Sequence, residues 1–158
     1  MYESPIPLPE KDREEIAAAL QACLVDGLDL HGQIKLAHWN VKGPQFAALH
    51  PLFEQFALGL ALHNDAIAER AVALGAQLRA TARVIARESR LPEYPASARR
   101  DLVHAKLLAE RFAQHGSALR AARACALERG DDDTADLLTA AVLELEKNAW
   151  FLRATLAE

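Results

Sequence analysis

The sequence predicts an all-α fold: a four-helix bundle with a short extra helix in the connection between the second and third long helices. Three observations carry it. Apolar residues recur at intervals of three and four in four long segments, and no stretch alternates with a period of two. The breaks between those segments run short, long, short, which is how two helical hairpins are joined by a crossover. The chain has 158 residues, 51% of them apolar, so residues 1–158 suit one domain with a sizeable core.

The first helix is expected from about Glu10 to Ala37, on the stripe Ile16, Leu20, Cys23, Gly27, Leu30 and Ile34. Asn40-Val41-Lys42-Gly43-Pro44 then breaks the chain, with Gly and Pro as punctuation. The second helix carries Phe46, Leu49, Phe53, Phe56, Leu60, His63 and Ile67 and ends near Gly75. Between Ala76 and Ala98 lies a short helical pattern, Thr81 to Glu88, followed by Leu91-Pro92-Glu93-Tyr94-Pro95. The third long helix follows Ala105, Leu108, Phe112, His115, Leu119, Ala122 and Ala126 and stops at Gly130. The fourth follows Leu138, Val142, Leu145, Ala149, Leu152 and Leu156; Asp131, Asp132 and Asp133 at its start suit the positive end of its dipole. A long second connection is the pattern associated with ferritin-like bundles.

Composition excludes several classes. Eighteen Lys and Arg against 22 Asp and Glu give 18 − 22 = −4, which argues against a nucleic-acid binder built on charge alone. Charges interrupt every apolar run before the roughly 18 residues of a membrane span. Residues Met1 to Glu10 have neither a basic start nor an apolar signal core, so a cytosolic protein is expected. Cys23 and Cys125 sit among apolar helical neighbours and read as reduced core residues. No nucleophile constellation, Walker loop or dinucleotide fingerprint supports another enzyme class.

The second helix carries the chemistry. His50 and Glu54 share a face at i, i+4, as do Asp65 and Glu69; Glu54 to Asp65 is three turns plus about 20°, so all four fall together. Imidazole and carboxylate suit Fe(II) with positions left open for an oxidant, although zinc and manganese accept the same ligands. Glu54 and Asp65 are about 16 Å apart along one helix, too far to share a metal. The pairs 50/69 and 54/65 are symmetric about a point between Gly59 and Leu60. Two copies packed antiparallel across a two-fold axis there would bring His50 and Glu54 of one chain to Asp65 and Glu69 of the other, with His38 completing the first half. Ala57, Gly59 and Ala61 are expected to permit the close approach. Solvated charge pairs give the same spacing, and the Glu-x-x-His signature of a centre inside one bundle is absent.

Longer motifs add to this. Ala37-His38-Trp39-Asn40-Val41-Lys42-Gly43-Pro44 with Phe46 and Leu49-His50, the block Asp65-Ala66-Ile67-Ala68-Glu69-Arg70, the Leu91-Pro92-Glu93-Tyr94-Pro95 connection, and Gly130-Asp131-Asp132-Asp133-Thr134-Ala135-Asp136 running to Trp150-Phe151-Leu152 follow in order over nearly the whole chain. Together they resemble the Dps family, DNA-binding proteins from starved cells. The resemblance implies a hollow dodecameric shell that oxidises Fe(II), preferring hydrogen peroxide (with dioxygen as the alternative), stores ferric mineral and so protects DNA. It implies iron sites shared between subunits, with His38, His50 and Glu54 from one and Asp65 and Glu69 from its two-fold partner. Trp39 resembles the family's tryptophan near the site, where it intercepts radicals; its plain role is packing.

Two departures stand at this site. Position 54 is usually Asp and here is Glu54, and Pro51 follows His50, so the helix is expected to start late or to kink beside that ligand. By motif match, Asp136 and Glu146, with Asp133 behind them, are candidates for acidic pores at three-fold axes; helix capping for Asp133 and surface solvation for the others are the plainer roles. DNA-binding members carry basic tails. Here Lys11 and Arg13 face Glu3, Glu10, Asp12, Glu14 and Glu15, and the chain ends Thr155-Leu156-Ala157-Glu158. Twelve copies at −4 amount to roughly −48, repelled by phosphate. Arg79, Arg83, Arg87 and Arg90 have helical spacing and are the one candidate basic patch. The alternative function is a structural, DNA-compacting shell with weak or absent iron chemistry. His63 and His115 are expected in the core or an interface with local hydrogen-bond partners; His31 and His104 have no companion ligand in sequence.

Overall fold

The computed structural model of the chain describes residues 1–157. Among them are five helices and no strand: α1 (Glu10–Asn40), α2 (Phe46–Ala73), α3 (Ala82–Glu88), α4 (Asp101–Glu128) and α5 (Asp132–Leu156). α1 packs on α2 and α4 on α5, as two hairpins joined by the long connection that holds α3 against α1. The apolar stripes meet in one core around Phe53, Phe112, Leu20, Leu30, Ile34, Leu108 and Leu138. Phe56 meets Phe112 edge-on, ring centres 5.3 Å apart, a favoured geometry for two quadrupoles.

Several boundaries differ from the sequence expectation, each for a local reason. α1 runs three residues past Ala37 because Val41 N–H donates to the Ala37 carbonyl and Asn40 Nδ2 to Leu36, so His38 and Trp39 stand on helix rather than at a break. α2 starts at Phe46 and continues through Pro51. The proline withholds one amide from the exposed second turn, where water reaches the freed carbonyl, and the helix neither starts late nor breaks. The turn between α1 and α2 is held from α4. Buried Asp101 accepts from Gln45 N–H at 2.7 Å, and its own N–H donates to the Lys42 carbonyl. Gly43 at φ +143° is required there, since a Cβ would fall 2.4 Å from that carboxylate. The Gln45 N–H, ahead of the other amides around it, holds the Asp101 carboxyl below its ordinary range.

The cap of α5 is Asp131, not Asp133. Asp131 accepts from Thr134 N–H at 3.1 Å and from the Arg70 guanidinium at 2.6 Å, and it is buried while Asp133 is exposed. Arg70 thereby locks the C-terminal turn of α2, just beyond Glu69, to the start of α5. Cys23 is buried and Cys125 only half-buried, both as free thiols. No helix among the described residues is long and apolar enough to cross a membrane. In the arginine series all four residues are exposed; Arg90 pairs with buried Asp26 and Arg87 with Glu88.

Two stability outcomes follow. Asp131→Ala removes a helix cap and strips Arg70 of its partner, so urea unfolding at fixed protein concentration is expected to show a loss of about 3 kcal/mol; a loss within about 0.5 kcal/mol would refute the locking role. His115, 1% exposed, is pushed by burial from 6.5 to about 4, with Asp26 opposing and Arg90 assisting. Between those values the unfolded chain binds the extra proton, so stability falls as pH drops from about 6.5 to about 4, by up to about 3 kcal/mol. Thermal melts of His115→Phe over that range are expected to lose most of the slope, with His104, lowered by burial in the same direction, supplying a remnant.

Candidate metal centre

The end of α1 and the second turn of α2 meet through two histidines. His38 and His50 stack with ring centres 3.8 Å apart. His38 Nδ1 lies 2.8 Å from the His50 carbonyl, and His50 Nδ1 lies 3.0 Å from the His38 carbonyl. A carbonyl only accepts, so each Nδ1 carries the proton and donates. In the neutral rings both Nε2 atoms therefore keep their lone pairs, the tautomer in which imidazole ligates metals through Nε2. The His38 carbonyl also lies in the last turn of α1, where helices leave acceptors unpaired, so the His50 bond serves as a cap.

Glu54, one turn on, lies on the same side: its Oε2 is 3.5 Å from His38 Nε2. The same oxygen accepts from the Lys35 ammonium. That bond is the largest influence on Glu54 and holds its carboxyl below the ordinary value, against the desolvation that raises it. Lys35 also lies 5.8 Å over the ring of Trp39, which is 68% exposed, and Phe46 tilts against His50 at 5.0 Å. Sequence reasoning missed Lys35, although positions 31, 35 and 38 share one face of α1 by helical spacing. His31 on that stripe is close enough for its charge to act on Glu54.

Asp65 and Glu69 are exposed further along α2, and the single helix keeps them apart from the first three residues. No three His, Cys, Asp or Glu side chains among the described residues are placed to hold a metal ion within one chain. α2 thus carries Asp65 and Glu69 toward one end and His50 and Glu54 toward the other, where His38 of α1 joins them.

Between the halves the surface differs from expectation. Ala57 is in the core and Gly59 lies under Glu144, whose Oε1 would be 2.0 Å from a Cβ there; of the three small residues only Ala61 is exposed. The outward residues are Leu58, 60% exposed, and Leu62, 74% exposed. At i, i+4, i+7, i+8, i+11 and i+15, Glu54, Leu58, Ala61, Leu62, Asp65 and Glu69 form one face, with an apolar middle and polar ends.

The other histidines fall into three groups. His63 Nε2 meets Glu144 Oε2 at 2.9 Å, a local partner as expected. His104 is buried and bonded to the Tyr94 hydroxyl at 2.7 Å, a companion the sequence did not suggest. His115 has no partner for either ring nitrogen, contrary to expectation. On α5, Asp136 is exposed, and Glu146 is exposed and paired with Arg120.

The family model described as a ferritin-like domain matches residues 17–158. The chain is similar to the DNA protection during starvation protein of Agrobacterium fabrum, 36% identical over 96% of this chain and 93% of that one. It is also similar to the protein of that name from Mycolicibacterium smegmatis, 34% identical over 94% and 81%. Among solved structures, the Dps of Mycobacterium smegmatis in its tetragonal form superposes with a TM-score of 0.94, at 28% identity, over all of this chain and 95% of that one. The Dps of Vibrio cholerae O1, described as a member of a broad superfamily of ferritin-like diiron-carboxylate proteins, gives 0.92 at 26% identity over 99% and 98%. The stacked histidines and the acids further along α2 are thus carried on a ferritin-like bundle, and the chain belongs to the Dps family.

Proposed function

We propose that this chain is a ferroxidase-type mini-ferritin: it oxidises Fe(II) with hydrogen peroxide at sites shared between two subunits and stores the ferric product as mineral in a cytosolic shell of twelve copies. The observation that carries the reading is the reciprocal His38–His50 arrangement, which leaves both Nε2 lone pairs free, with the Glu54 carboxylate 3.5 Å from His38 Nε2. The apolar strip of Leu58, Ala61 and Leu62 supports antiparallel pairing of α2 about its midpoint, because an exposed strip between two polar ends is covered by a second copy of itself. Asp65 and Glu69 of the partner then complete each half.

Iron enters this chemistry as substrate. Two ferrous ions each give one electron to peroxide, the O–O bond breaks, and its oxygens leave as water or join the ferric mineral. His38, His50, Glu54, Asp65 and Glu69 hold the ions through nitrogen and carboxylate oxygen, and the carboxylates offset the growing positive charge. Removal of both iron and peroxide withdraws the reactants of radical chemistry, which is how such a shell guards DNA. Trp39, close to the half-site and open to solvent, is placed to intercept radicals that escape. Asp136 and Glu146, with Asp133, supply the acidic entry that concentrates Fe²⁺. Direct DNA binding is left outside this reading, since Arg87 and Arg90 already have carboxylate partners.

Complementation tests the shared site. Asp65→Ala and His50→Ala are each expected to lose fast peroxide-driven oxidation in stopped-flow absorbance. Co-expressed as mixed shells, they should regain it at about a quarter of the sites, since each mixed pair keeps one intact site of two; no regain would refute the arrangement. Lys35→Gln frees the Glu54 carboxylate, so Zn²⁺, as a redox-inert probe, is expected to bind severalfold more tightly at pH 7 by calorimetry. Equal or weaker binding would mean that the ammonium does not compete with the metal.

A further inference from the structure

Four buried polar atoms meet in the middle of the bundle with nothing to bond to. Asn64 of α2 is 4% exposed and His115 of α4 is 1% exposed; neither the amide nitrogen and oxygen of the first nor the two ring nitrogens of the second has a partner. Two of them face Gly27 of α1, where a Cβ would fall 2.1 Å from Asn64 Oδ1 and 3.3 Å from His115 Nε2. Only a residue without a side chain leaves Asn64 its place. Buried donors and acceptors are nearly always paired, so a cluster of unpaired ones implies an occupant.

The surroundings define its chemistry. Nearby Asp26 is taken, accepting from Arg90 N–H at 2.9 Å and from Arg90 Nε at 2.8 Å. The Cys23 thiol points to the Ala118 carbonyl at 3.6 Å. Burial keeps His115 uncharged near neutral pH. What remains, whichever way the amide is turned, is an uncharged set that both donates and accepts. A charged ligand would find no counter-ion there, and an apolar one would leave the amide and imidazole unpaired. A buried water makes about three hydrogen bonds, a number this pair can supply with its neighbours, and hydrogen peroxide has the same donor and acceptor character.

Asn64 also borders the surface. Asn64 lines a mostly apolar cleft of about 370 Å³ between α1 and α2, walled by Leu24, Leu28, Ala68 and Leu78 and carrying His31 and Asp65. The amide thus stands between the surface beside Asp65 and the buried ring of His115.

We propose that Asn64 and His115 form an internal binding site for a small neutral hydroxylic molecule, water or hydrogen peroxide, reached through the cleft beside Asp65. The site itself does not depend on the iron reading; only the peroxide assignment rests on it. A crystal structure of the assembled native protein is expected to show an occupant within hydrogen-bond distance of both side chains. In Gly27→Ala the added methyl displaces Asn64 into that space, and the occupant should be lost; His115→Phe removes one partner with little change of shape and should also lose it. Kinetics then separates the sources. If the half-saturating peroxide concentration rises severalfold in both variants while dioxygen-driven oxidation and Zn²⁺ binding hold, the occupant is peroxide; if all three hold, it is water. An empty site in the native protein, with Asn64 bonded directly to His115, overturns the proposal, as does an occupant that persists in both variants. If the wild type shows no ferroxidase activity, the iron reading fails and the crystallographic arms still decide the site.

Discussion

The two bonds that run between the rings and carbonyls of His38 and His50 are the constraint on which the site depends. They join the last turn of α1 to the second turn of α2 and fix both ring tautomers together. The bond from His50 also uses a carbonyl that the end of α1 leaves short of a donor. A ligand pair held by its own backbone needs no further side chain to orient it, and that leaves Glu54 free for either Lys35 or a metal. The turn between the helices is itself anchored from α4 by Asp101, so the site's precision originates partly in a carboxylate on the other hairpin.

Continuity of α2 through Pro51 is the second determinant. A kink at Pro51 would have swung His50 away from Glu54 and spoiled the match between the two halves; a continuous helix keeps all the ligands in one register from end to end. Because the halves are about 16 Å apart on that rod, no rotamer change within one chain brings them together. In the proposed reading assembly and chemistry are therefore coupled: the apolar strip of Leu58 and Leu62 gives copies a reason to pair, and pairing about its centre would complete both sites. Lys35 fits the same logic, since an unpaired Glu54 between two imidazoles would otherwise carry its charge alone before metal arrives.

The four long helices were legible because each buries a stripe of period 3.6, and burial is what hydrophobic spacing encodes. Helix ends were less so. Whether Asn40 ends a helix depends on where its amide donates, and Asp131 outranks Asp133 as a cap only through Arg70, a residue sixty positions away. At the site, the symmetry of 50/69 and 54/65 was readable from numbering alone. The interface residues were not, because small size suggested Ala57 and Gly59 while the stripe phase turns them toward the core and Glu144. His115 misled for a related reason: a histidine on an apolar stripe ordinarily has a partner, and its lack of one is a property of three helices at once.

That lack bears on how the bundle divides its labour. Ferritin-like bundles can place metal ligands inward, on facing helices of one core. Here the inward positions at mid-bundle hold an amide, an uncharged imidazole and a glycine, while every acid proposed for iron stands on the outer face of α2 or on α5. Of the buried carboxylates, Asp26 and Asp131 are offset by Arg90 and Arg70, so neither calls for a metal. In the proposed reading the metal ligands gather only where two copies meet. The polar pair behind Asp65 is compatible with this arrangement because it asks for hydrogen bonds and no charge.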